Sequence, residues 1–123
     1  MDVVKLMKHV RDHPKNDAFL GFYDVITRPD WQDYEWDLDW TLHHRSVYEF
    51  AREQGLLSET AVAELAEIDA FWRAHPQAFA RAFGTLIPRI DPATELSGWV
   101  EDEVGRPVPI PPSHWWWRLP EAW

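Results

Sequence analysis

Seven of the ten prolines lie from Pro88 onward, so no continuous helix can run through the last third of this chain. Proline lacks an amide donor, and its ring collides with the preceding helical turn. Upstream of Gly84 there are only Pro14, Pro29 and Pro76, and each falls between stretches with a 3.6-residue apolar period. The prolines therefore divide the chain into a helical part, residues 2–84, and a C-terminal arm, residues 85–123.

The expected fold class is mainly α: a small bundle of about five helices with a proline- and tryptophan-rich, largely non-helical arm. Asp2 can cap a first helix with Val3, Leu6, Met7 and Val10 on one face, ended by Pro14. Asn16 or Asp17 can cap a second, in which Phe19, Phe22, Tyr23 and Ile26 share a face until Arg28-Pro29 stops it. The third is the clearest, entering near Asp37 and running to Gln54. Its Trp36, Trp40, His43, Val47, Phe50 and Ala51 form one face expected to be buried, and Gly55 supplies the left-handed residue that follows a helix end. Ser58 caps a fourth helix with the stripe Val62, Leu65, Ile68, Phe71 and Trp72. Pro76 opens a short fifth carrying Phe79 and Phe83.

In the arm, Asp91-Pro92 can start a single turn, and Trp99 to Val104 can form a small hairpin around Gly105-Arg106. The stretch Pro107 to Pro120 reads as extended. It is too apolar to float free, so a strap pinned across the helices by Trp115, Trp116 and Trp117 is favoured over a polyproline ligand. Pro109 to Pro112 has the PxxP spacing, with Arg106 and Arg118 the nearest basic residues. At 123 residues there is material for one domain, 1–123.

Net charge narrows the functional classes. At −9 the chain is poorly suited to nucleic acid or anionic membranes, both of which demand a basic surface, whereas a basic protein partner suits it. With no cysteine there is no disulfide framework and no thiol chemistry, and no apolar run approaches the roughly 20 residues of a membrane helix. These features lead us to expect a cytoplasmic protein.

Asp30 to Trp40 holds five carboxylates and three of the nine tryptophans. Aromatic anchors within a charged rim describe ordinary interface anatomy. Trp31, Asp33, Tyr34, Glu35 and Asp37 are therefore the expected partner-binding residues, and the function they suggest is non-enzymatic. The chain would be an acidic, aromatic-rich binder of a basic protein, of the immunity, antitoxin or adaptor type, with self-association possible through exposed tryptophans.

The alternative is a metal-dependent or acid-base enzyme using His9 and His13, or His43 and His44. His9 and His13 are four apart, but Asp12 stands where the inverted zinc-protease motif needs Glu. His43 lies on the tryptophan face with His44 beside it, and one of the two can act as a general base with Asp39 one turn earlier as its orienting carboxylate. Ser46, Ser58 and Ser97 stand in settings unpromising for a nucleophile. No catalytic residue, no cofactor and no metal site is therefore expected.

Overall fold

The computed structural model describes residues 18–27, 35–98, 106 and 108–123. Among these residues there are four α-helices and no strand: α1 (Ala18–Thr27), α2 (Glu35–Glu53), α3 (Glu59–Ala74) and α4 (Pro76–Phe83). Short 3-10 turns follow at Ile87–Arg89, Glu95–Gly98, Trp115–Trp117 and Pro120–Ala122. The mainly helical class is as expected, with four helices described rather than five. The first expected helix and the expected hairpin at Trp99 to Val104 fall outside the described residues.

Local chemistry explains the boundaries. After α2, Gly55 adopts φ +69°, its N–H bonding to the Arg52 carbonyl at 3.0 Å and that of Leu56 to Ala51 at 3.0 Å. This paired closure turns the chain back at little steric cost because glycine has no Cβ. Ser58 then caps α3, its Oγ accepting from the Ala61 N–H at 3.1 Å. Pro76 occupies the first turn of α4, where a missing N–H costs nothing. The single turn expected at Asp91 is present: the Asp91 carboxylate accepts from Ala93 N–H at 3.0 Å and its carbonyl from Glu95 N–H at 2.9 Å.

Trp72 of α3 is the centre of packing. It is fully buried, meets Phe22, Phe79 and Phe83 ring to ring, and donates its indole N–H to the Phe22 carbonyl at 2.7 Å. α1 thereby packs against α2, α3 and α4. The arm crosses the bundle as a strap, with Trp116 and Trp117 buried and with Trp115 and Trp123 packed on Phe79. Ile110 N–H ties it to the Pro92 carbonyl at 2.9 Å.

Two details of the helix faces need correction. Trp40, assigned to the buried face of α2, is 36% exposed, its ring 5.2 Å from His44 on the same helix. Val62, assigned to the α3 stripe, is 37% exposed while Ala61 beside it is buried. A period identifies the direction of a stripe but not where the covering elements stop. Conversely, α2 is buried on more than one face, because α1 covers Tyr48, α3 holds Arg45 and the arm covers Ser46. Its Leu38, Leu42, Ser46 and Tyr48 are all inside.

Candidate functional site

Three side chains meet where α2 faces the turn after Asp91. Asp39 and His43 stand one helical turn apart on α2, and Glu95 opens the Glu95–Gly98 turn, held by the Asp91 turn before it and the fully buried Leu96 after it. His43 is 1% exposed, and its ring lies edge-on to Trp117 at 4.9 Å. Its Nδ1–H donates to the Asp39 carbonyl at 2.8 Å, and Nε2 lies 3.2 Å from the Glu95 carbonyl oxygen. The carboxylates flank the ring, with Asp39 Oδ1 3.4 Å from Nδ1 and Glu95 Oε1 3.7 Å from Nε2. Both ring nitrogens thus face oxygen.

Asp39 Oδ1 is buried without a hydrogen-bond partner among the described residues. Burial, then the hydrogen bond and the negative charge of Asp39, push the Glu95 carboxyl up to about 7. Two carboxylates brought this close in a partly buried setting disfavour double ionisation, which is why the Glu95 carboxyl is raised. The carboxylates are the solvent-facing side of the cluster, each 22% exposed.

A second polar group lies under the strap. Ser46 Oγ accepts two indole N–H bonds, from Trp117 at 2.8 Å and Trp116 at 3.2 Å, and is 2.9 Å from His114 Nδ1. Indole nitrogens only donate, so both hydroxyl lone pairs are used and the Ser46 proton goes to Nδ1. The His114 proton is thereby assigned to Nε2, which has no partner among the described residues. Burial, opposed by Glu49 and reinforced by the charges of Arg45 and Arg52, lowers His114 to about 4. A Ser–His pair of this distance suggests a nucleophile and base, but a fully buried hydroxyl with both lone pairs engaged cannot attack a substrate. This group fastens the arm to α2.

Arg45, 1% exposed, extends the fastening to α3. Its guanidinium grips Asp69 with two bonds, 2.8 and 3.0 Å, bonds Glu49 at 3.1 Å and lies 4.2 Å from the Trp116 ring. Burial pushes the Glu49 carboxyl up, but the hydrogen bond from Arg52 and the charges of both arginines outweigh it and hold the carboxyl low. A cavity of about 300 Å³ lies beside this network, lined by Arg45, Glu49, Asp69, Trp115 and Trp116 among others. With Arg52 also in the lining, its two guanidinium charges face two carboxylates, so it presents no net charge to a ligand.

Of the residues expected from sequence to carry function, Trp31, Asp33, Tyr34, His9 and His13 lie outside the described residues. Glu35 and Asp37 fall in the first turns of α2, their side chains outside the description. His44 is half-buried between Trp40 and Tyr48, each 5.2 Å away, and Phe22 at 6.1 Å, away from the Asp39 cluster. Of the two histidines that the spacing allowed to pair with Asp39, His43 is the one that does. No local spacing signals Glu95 or His114, whose partners are 52 and 68 residues away, or the Arg45–Asp69 pair across 24 residues, although Glu49 stands one turn from Arg45 on the same helix. The chain matches no protein-family model, no curated protein and no solved structure.

Proposed function

We propose that the chain is a protein-association domain that engages a basic partner through the N-terminal end of α2. The observation that carries this reading is Trp40, more than a third exposed beside Asp39 and directly after an acidic run. Tryptophan is the side chain most enriched where interfaces concentrate their binding energy, and carboxylates around it steer a cationic partner. The net charge of −9 acts in the same sense over a longer range. Trp31 and Tyr34 are further anchors in this proposal, with Asp33, Glu35 and Asp37 as the steering rim. An immunity protein, antitoxin or adaptor would have this character.

The two contributions separate kinetically. Rim carboxylates mainly raise the association rate and lose that effect with salt, whereas an anchor acts mainly on dissociation. Once a partner has been captured and identified, both rate constants are measured at low and high salt. Asp33→Asn, Glu35→Gln and Asp37→Asn together should slow association and flatten its salt dependence, and Trp40→Ala should speed dissociation at least tenfold. Unchanged rates in both variants overturn the proposal. Dimerisation of the chain itself, abolished by Trp40→Ala, would replace the basic partner with a second copy.

A further inference from the structure

We propose that Asp39, His43 and Glu95 form a binding site for one divalent first-row transition-metal ion, with zinc as the reference occupant. The ligand atoms of the three residues all lie within 4.8 Å of one another. One ion can use only one nitrogen of an imidazole, and the hydrogen bonding selects it. Both ring nitrogens face a backbone carbonyl, Nδ1 that of Asp39 at 2.8 Å and Nε2 that of Glu95 at 3.2 Å; the shorter bond keeps its N–H, so Nε2 is the nitrogen an ion takes in place of a proton. Metal-bound histidines are held in this way, their other N–H given to a backbone carbonyl or carboxylate.

Nε2 points at oxygen, with the Glu95 carboxylate at 3.7 Å and the Glu95 carbonyl at 3.2 Å. A carbonyl and a carboxylate around one ring nitrogen call for positive charge between them, which a proton on Nε2, or a metal ion in its place, supplies. Asp39 Oδ1, buried and without a hydrogen-bond partner among the described residues, lies 3.4 Å from Nδ1 and supplies a further oxygen to the cluster. Zinc holds nitrogen and oxygen at roughly 2.0–2.2 Å, which sets tetrahedral ligand atoms about 3.3 Å apart. Small rotations of two partly exposed carboxylates close the difference. One imidazole with two carboxylates favours zinc, manganese or iron over calcium, which takes oxygen alone. Burial of His43 beneath Trp117 excludes water from the nitrogen side and leaves the carboxylate side as the entry. This set differs from the His9 and His13 pairing considered from sequence, and it stands whether or not Trp40 binds a partner.

The test uses the full chain, stripped with a chelator and then titrated with zinc by calorimetry and with cobalt by visible absorbance. One ion per chain should bind, and the nitrogen-15 spectrum should show one histidine metallated at Nε2. Glu95→Gln and Asp39→Asn are near-isosteric changes at partly exposed positions, so both should fold, as circular dichroism will show. Each should weaken binding about tenfold or more. His9→Ala with His13→Ala should leave binding intact. Absence of stoichiometric binding, unchanged affinity in either carboxylate variant, or loss in the His9 and His13 double variant overturns the proposal.

Discussion

Ser46 shows how much can hang on one small side chain. Its hydroxyl satisfies two buried indole N–H groups and the His114 ring, so Ser46→Ala orphans three polar atoms at once. An unsatisfied buried donor or acceptor costs about 1–3 kcal/mol. Chemical denaturation should therefore register a loss of at least about 3 kcal/mol, far more than the loss of one oxygen from a surface serine. His114 makes a pH-dependent contribution. Its ring is neutral in the folded state down to about 4, against an ordinary value of 6.5, so in that window the unfolded chain binds the extra proton. The stability it contributes is complete above pH 6.5 and is lost as pH falls towards 4, on the order of 3 kcal/mol in all. Glu49, Arg45 and Arg52 surround it, and Glu49, whose carboxyl is held low, loses stability towards acid as well. Only the difference from a His114→Gln variant isolates the ring. That difference should shrink steadily between pH 6.5 and 4 in urea melts, and a constant difference would show that His114 is already protonated in the fold.

At the scale of elements, the turn between α2 and α3 and the ion pair across it work together. Gly55→Ala forces a Cβ into left-handed backbone and should cost about 1–2 kcal/mol, although none of the described residues lies within 4 Å of the added atom. Ser58→Ala removes the α3 cap for about 1 kcal/mol. Arg45 is different in kind because it joins α2, α3 and the strap. Removing one partner of a buried pair leaves the other charge uncompensated, typically at about 3–5 kcal/mol. Arg45→Ala should thus lower stability more than Gly55→Ala and Ser58→Ala do singly, measured by denaturant midpoint at constant slope. Arg45→Met, which fills the same volume without a charge, is the sharper comparison when combined with Asp69→Asn. If that double change is as damaging as Arg45→Ala, the paired charges themselves, rather than lost packing on Trp116 or an orphaned carboxylate, carry the effect.

For the whole molecule, the strap is part of the fold rather than an appendage to it. Trp116 is 1% exposed and Trp117 5%, and both bond Ser46 in the middle of α2. Removing everything after Gly98 uncovers that serine, His43, Phe79 and the Arg45 network together. Each aromatic side chain carries about 150–250 Å² of contact, so the loss exceeds what a domain of this size can spare. The truncated chain should lose its cooperative thermal transition. A melting temperature equal to that of the full chain would show that helices α1 to α4 suffice and that the tryptophans merely rest on them.

Helix identity was legible in the sequence wherever the determinant is local. Ser58, Gly55, Pro76 and the apolar steps of Phe22 to Ile26 act within a turn or two of themselves, so their effect survives without knowledge of the rest of the chain. That Asp39 pairs with one of His43 and His44 was legible for the same reason, one turn of one helix, whereas which of the two was not. What the tertiary structure alone decided is which faces are covered and which distant groups meet. Trp40 and Trp116 are chemically the same residue, yet the first stays more than a third exposed and the second is buried. The strap reaches Ser46 and the edge of His43, whereas Trp40 rests on His44 of its own helix. Glu95 joins His43 across 52 residues and His114 joins Ser46 across 68, separations over which no sequence period operates. Local periodicity therefore determined the helices, while the path of a proline-stiffened arm, set by packing around Trp72 and Trp116, decided the chemistry between them.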